Sequence, residues 1–308
     1  MPSPARQLHD RRTKPRLDVG VYSREAYLPL RGALTRHWPE YLIEALFLMG
    51  FVFGAGVVTT FFETPGSVLR GALPDAFMRH VSSGLTMGAL TAALIYSPWG
   101  RRSGTHLNPA ITLAFYRLGK VGRWDLLFYL IAQFAGGAAG IALVRAMMGD
   151  AFEAASATGL AIPSGLVGEA IAFAAETAIA AALMLAVLVA TNHATLYRWT
   201  GAIVGVLVAV SVTFASPLSG FGTNPARTIA AMLSGGSWGG AWLALIAPIL
   251  GMQLAIDAYR LLTGRSQVLC AKLAHNVEGR CIFKCQHPDQ ARAIALQAFR
   301  QKKPARGS

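Results

Sequence analysis

Asn108 and Asn224 occupy the same place in two copies of one pattern. Residues 103–112 read S-G-T-H-L-N-P-A-I-T and residues 219–228 read S-G-F-G-T-N-P-A-R-T, so S-G-x-x-x-N-P-A-x-T occurs twice at identical offsets. A match of this kind in two distant places is an internal repeat. Asn is a preferred N-cap, and Pro is tolerated at the first helical position, where its missing N–H would have no partner anyway. Each copy therefore starts a helix, with Pro109 and Ala110 in one and Pro225 and Ala226 in the other. Helix N-termini carry roughly half a positive elementary charge. Two such ends meeting at the centre of a pore would oppose cations and protons, and the two Asn amides could donate to the oxygen of a passing water or hydroxyl. Arg227 places a cation directly after the second box. An Arg at membrane depth is costly and marks a functional site, unless backbone carbonyls simply hold it.

Other residues with chemical capacity sit around the boxes. Glu44 and Glu176 fall in apolar stretches, where an acid could relay protons or accept hydrogen bonds from loops. His106, two residues before Asn108, reads as a loop hydrogen-bond partner, with a pH gate as the alternative. All three cysteines lie near the C-terminus, as Cys270, Cys281 and Cys285, with His275 between them in the order C-x4-H-x5-C-x3-C. Three thiolates and an imidazole could form a tetrahedral zinc site. The spacing matches no strong zinc signature, and reduced, unpaired thiols are the norm in the cytosol. The tail is accordingly expected to be separable from permeation, with no metal in the pore itself and no cofactor.

These residues need membrane helices to hold them. Of 308 residues, 54% are hydrophobic and 14% charged, against about 25% charged in soluble domains. Six apolar stretches near 41–62, 77–97, 124–148, 167–191, 200–217 and 238–262 reach the roughly 20 residues that a bilayer crossing needs. The pieces after the boxes, 108–117 and 224–234, span only about 15 Å and must be re-entrant half-helices buried in protein or lining a wet cavity. Pairs of glycines four apart, Gly84 and Gly88, Gly136 and Gly140, Gly201 and Gly205, allow helices to approach closely.

The net charge of +13 is concentrated at the ends, with eight Lys/Arg against three acids in 1–39 and nine against two in 264–308. No nucleic-acid module accompanies this charge, which suits tails facing anionic lipid. No cleavable signal sequence is visible, because 1–39 is polar and basic. The segment 98–123 carries Arg101, Arg102, Arg117, Lys120 and Arg123, whereas 149–168 carries Asp150 and Glu153 without a base. The first belongs inside and the second outside, so six spans leave both termini cytoplasmic in a plasma membrane, and heavy Ala and Arg use hints at a bacterial inner one. The organisation is a basic N-terminal segment 1–39, a first half-repeat 40–148, an extracellular connection 149–166, a second half-repeat 167–263 and a basic tail 264–308. Two halves of opposite orientation make an inverted repeat.

Two N-P-A boxes within six spans, the second continuing as N-P-A-R, resemble the aquaporin and glycerol-facilitator family of major intrinsic proteins. Glu44, Glu176 and Gln133 with Gly136 and Gly137 fit its pattern as well, and the resemblance covers roughly 40–263. It implies an all-α membrane fold of six transmembrane helices plus two re-entrant half-helices, assembled as a homotetramer in the lipid bilayer with one pore per subunit. It also implies passive passage of water and small uncharged solutes, with no covalent chemistry. By the same resemblance Glu44 and Glu176 hold the half-helix loops, and Arg227 lines a filter completed by Gly88, Val212 and Phe221. Gly88 and Val212 replace the aromatic and His of water-selective members, which implies a wider aperture, while a one-residue slip would substitute Met87 and narrow it. Phe221 matches the glycerol facilitators, although Gly88 and Thr228 stand where those have Trp and Asp. Small filter residues also resemble members that pass uncharged metalloid acids. The rival class is an ion- or proton-coupled secondary transporter built on an inverted repeat.

Overall fold

A computed structural model of the chain describes residues 28–159, 165–219, 222–233, 238, 241–264, 268–275 and 280–286. Phe221 lies outside the described residues. The regular structure among the described residues is helical, in the order α1 (Leu30–Glu63), α2 (Val68–Ala72), α3 (Ala76–Tyr96), α4 (Pro98–Ser103), α5 (Pro109–Arg117), α6 (Arg123–Gly159), α7 (Leu166–Thr191), a 3-10 turn at Tyr197–Trp199, α8 (Thr200–Ser219), α9 (Pro225–Leu233) and α10 (Ala241–Thr263). Five of these, α1, α6, α7, α8 and α10, are long and apolar enough to cross a membrane. The sixth span is α3, whose 21 residues reach across but carry Arg79 and His80 near its start. Asp75 caps that start by accepting from Met78 N at 2.8 Å. Arg79 is neutralised by Glu63 at 3.2 Å and donates to the carbonyls of Leu73 and Pro74.

The helices pair as an inverted repeat requires. In the first half α1 lies along α6, in the second α7 lies along α10, and α3 and α8 close the bundle against each other across the halves. The two short helices interlock the halves: α5 packs on α10, and α9 packs on α6. Outward-facing Leu34, Trp38, Leu42 and Leu46 on α1, and Val206, Val210 and Phe214 on α8, are exposed, as faces turned to lipid or to neighbouring subunits would be.

Glycines set the closest contacts. A Cβ at Gly88 would fall on the Gly205 carbonyl, and one at Gly136 would fall on Ala45, so these spacings serve backbone approach. Two boundaries differ from the sequence expectation. The first helix begins at Leu30 because its extra turns are anchored from both sides: His37 and Tyr41 bond Asp125 of α6 at 2.7 and 2.6 Å, and Arg102 donates to Glu40 at 3.1 Å. The segment 149–166 is more than a connection. Gly149 takes φ 49° and ψ −130°, which turns the chain, and helix then continues to Gly159.

Gly136→Ala and Gly50→Ala should therefore behave oppositely. Nothing lies within 4 Å of a Cβ at Gly50, so Ala there should raise stability by up to about 1 kcal/mol through helix propensity. At Gly136 the methyl must displace backbone, and a loss of about 1–3 kcal/mol is expected. Thermal unfolding of the two variants in the same detergent measures the contrast.

Candidate functional site

The two boxes meet and bond reciprocally. Asn108 Oδ1 accepts from Ala110 N at 2.9 Å, and Asn224 Oδ1 accepts from Ala226 N at 3.1 Å and Arg227 N at 3.3 Å, so each Asn caps its own half-helix. Each Nδ2 then crosses to the other loop: Asn108 donates to Thr223 O at 2.9 Å and Asn224 donates to Leu107 O at 2.7 Å. A side-chain amide has two N–H donors, so each Asn keeps one for the cavity that both line. Pro109, Ala110, Pro225 and Ala226 are buried behind them. The acceptor carbonyls belong to Leu107 and Thr223, which hold φ at +51° and +32°, a left-handed conformation costing roughly 1–2 kcal/mol for an L-residue.

Two carboxylates hold these loops in matching ways. Glu44 Oε1 accepts from Ser103 Oγ at 2.9 Å and His106 N at 3.0 Å, and its Oε2 accepts from Leu107 N at 2.7 Å and Gln133 Nε2 at 3.0 Å. Glu176 Oε1 accepts from Ser219 Oγ at 2.5 Å and Gly222 N at 2.8 Å, and its Oε2 accepts from Thr223 N at 2.5 Å and Thr223 Oγ1 at 2.9 Å. Ser103 matches Ser219 in the repeat, His106 matches Gly222, and Leu107 matches Thr223. The shared Ser is therefore a loop donor, and the fourth donor is the one position where the halves differ.

The Asn pair lines a cavity of about 80 Å³, room for several waters. Arg227 lines it, with Phe51 of α1, Thr91 and Ile95 of α3, Leu183 of α7, and Val204 and Val208 of α8. The wall residues of α3 and α8 follow i, i+4 stripes, a spacing visible in the sequence without any sign of which face turns inward. Of the expected filter residues Arg227 lines this cavity, whereas Gly88, Met87 and Val212 do not. Gly88 is turned to Gly205 of α8, and one residue along a helix rotates the side chain by roughly 100°. Met87, one turn from Thr91 on the same stripe, is buried. Val212 continues the Val204–Val208 stripe by one turn and is partly buried against the core.

The tail packs on the loop before Asn108 and on the cavity. His106 is buried, its Nε2 donates to Ala271 O at 2.8 Å, and its Nδ1 meets Thr112 Oγ1 at 3.2 Å. Its ring is stacked between Phe115 and Phe283, both at 5.2 Å. Leu273 N donates to Gly104 O at 3.1 Å, Lys284 N donates to Lys120 O at 3.0 Å, and Leu269 N donates to Asn192 Oδ1 at 2.6 Å. Leu273 lines the same cavity as Asn108. The tail is thus part of the cavity wall. Its four chemical residues converge too: one ligand atom each from Cys270, His275, Cys281 and Cys285 lie within 4.8 Å of one another. Burial pushes the Cys270 thiol up, whereas hydrogen bonds from Cys270 and Cys285 hold the Cys281 thiol well below its usual range.

A family model described as major intrinsic protein matches residues 35–259. Aquaporin NIP1-3 of Oryza sativa subsp. japonica is 37% identical over 179 residues, which is 58% of this chain and 60% of that protein. Aquaporin AqpM of Methanothermobacter thermautotrophicus is 29% identical over 247 residues, 75% of this chain and 98% of that one. The match spans about 60–63% of the length of the rice relatives NIP1-3, NIP1-2 and NIP1-4. The X-ray structure of the aquaglyceroporin from Plasmodium falciparum superposes with a TM-score of 0.56 at 20% identity, covering 74% of this chain and 98% of that one, a likeness of fold.

Two outcomes follow from the site. Glu44→Ala and Glu176→Ala each strand at least two buried backbone N–H groups, at about 1–3 kcal/mol apiece, and should lower the unfolding midpoint sharply in detergent. Gly88→Trp should reduce the yield of folded, monodisperse protein, because the indole must wedge α3 from α8. A stable, well-folded Gly88→Trp would return that position to the lumen.

Proposed function

The chain belongs to the major intrinsic protein family, and from that premise we propose that it is a passive channel for water and small uncharged solutes. The observation that carries the reading is the reciprocal Asn108–Asn224 arrangement, which sets two helix N-termini and two spare amide donors against an otherwise apolar cavity. A neutral molecule moving past the pair exchanges water hydrogen bonds for amide ones. A cation finds apolar walls that cannot replace its hydration, at great cost, and positive helix ends that repel it. Arg227 adds a fixed positive charge and hydrogen-bond donors. With Met87, Val212 and Arg227 as filter candidates, α3 and α8 contribute neither an aromatic nor an imidazole. That composition suits solutes with an apolar side and hydroxyl groups, such as glycerol-like polyols or uncharged metalloid acids.

The same premise makes the protein an integral membrane channel without a covalent step. We infer a homotetramer with both termini cytoplasmic in the plasma membrane, on the family resemblance and on the charge contrast between basic 98–123 and acidic 149–168. Against a coupled transporter stands the occupancy of Glu44 and Glu176, whose oxygens each already accept two hydrogen bonds.

Water and solute flux in proteoliposomes, with glycerol, urea and arsenite compared at matched protein density, tests the reading. Flux should follow the solute gradient alone. Val208→Trp should abolish most of it, because an indole covering about 150–250 Å² fills the lumen, and Arg227→Ala should admit a cation leak. Dependence of solute flux on a proton or sodium gradient would make the protein a transporter instead.

A further inference from the structure

The tail lobe carries a second site that the pore does not use. Residues 268–275 and 280–286 contain no helix or strand, yet Val268, Ala271, Leu273, Ile282 and Phe283 are all buried. These side chains are buried against the helical bundle, while the segment itself has no helix or strand to order its backbone, a setting in which a cross-link or a metal adds order. At its centre Cys270 Sγ lies 3.6 Å from Cys281 Sγ, and His275 Nε2 lies 3.0 Å from Cys285 Sγ. Zinc bonds of about 2.3 Å to sulfur and 2.0–2.1 Å to imidazole put tetrahedral ligands roughly 3.5–3.8 Å apart; the Cys270–Cys281 separation matches this, the His275–Cys285 one is shorter, and all four ligand atoms lie within 4.8 Å of one another.

The charges around the cluster point the same way. Lys120 and Lys272 are buried, their electrostatic partners include the tail sulfurs, and their ammonium groups donate to neutral oxygens of Gln286 at 3.0 Å and Arg280 at 2.7 Å. Among the described residues neither forms an ion pair with a carboxylate. Two buried cations beside three sulfurs call for negative charge there. A divalent ion on three thiolates and one neutral imidazole carries a net charge of −1 and supplies it.

We propose that Cys270, His275, Cys281 and Cys285 bind one zinc ion, and that the zinc-held lobe closes the tail-side mouth of the pore. Zinc would displace the protons of the three thiols to solvent and take His275 through Nε2. The ligands alternate with the residues that touch the mouth. Ala271 and Leu273 lie between Cys270 and His275, and Phe283 lies between Cys281 and Cys285. Holding the four ligands therefore holds Ala271 on His106, Leu273 in the cavity and Phe283 over the His106 ring. Without the ion the lobe is held by scattered hydrogen bonds and apolar contacts, which loosen more readily than four metal bonds, and the mouth opens.

The gate rests on the channel reading above, whereas the metal site does not, and the experiment separates them. Full-length protein purified under reducing conditions is analysed for metal, then reconstituted for flux with and without a membrane-permeant zinc chelator. Expected are one zinc per chain, thiolate-to-metal charge-transfer absorption when Co2+ replaces it, and flux that rises several-fold on chelation and falls when Zn2+ returns. Cys281→Ser with Cys285→Ser should lose the zinc and show the high flux constitutively, while His275→Cys, which keeps four ligands, should retain both zinc and low flux. Absence of metal, or a Cys270–Cys281 disulfide in its place, overturns the site. Zinc binding with flux indifferent to it overturns the gate. Background flux from loaded, stripped and variant protein alike overturns the gate together with the channel reading.

Discussion

Two loops of irregular backbone at membrane depth must have every polar group satisfied from within the protein, and this constraint organises the structure. Water is not there to help, and each stranded N–H costs about 1–3 kcal/mol. Glu44 and Glu176 meet the demand, each gathering four donors from or beside one loop. With the loops held, Leu107 and Thr223 can keep positive φ, and their carbonyls turn toward the opposite Asn. The strain of roughly 1–2 kcal/mol per residue is thereby tied to the feature that brings the half-helices together.

The halves depend on each other through the same contacts. Since α5 packs on α10 and α9 on α6, neither half encloses its own short helix. The Asn108–Thr223 and Asn224–Leu107 hydrogen bonds run between the halves, so the cavity exists only in the joined bundle. Gly88 and Gly205 let α3 and α8 approach at the level of the backbone, which closes the wall that those interlocked helices leave open.

The cavity wall is completed by chain that follows the last span, through Leu273. His106 couples the two parts, bonding Thr112 in its half-helix and Ala271 in the tail while its ring stacks between Phe115 and Phe283. The tail therefore contacts the chain two residues before Asn108.

The repeat alone determined much of this protein. Six shared letters, with Asn and Pro in capping order, specify two half-helix starts, and the apolar stretches around them specify a membrane bundle, because capping and bilayer crossing are local or compositional constraints. Ser103 and Ser219 were legible as equivalent positions before their glutamates were seen. What only the tertiary structure decided is angular and long-range. Whether Met87 or Gly88 turns inward depends on a rotation of roughly 100°, which counting along the chain from a distant box cannot resolve, since intervening helices and turns absorb residues without notice. The start of α1 at Leu30 depends on Asp125, and the convergence of Cys270, His275, Cys281 and Cys285 depends on a lobe without periodic pattern. Side chains that meet through packing rather than through spacing leave no signal in one sequence.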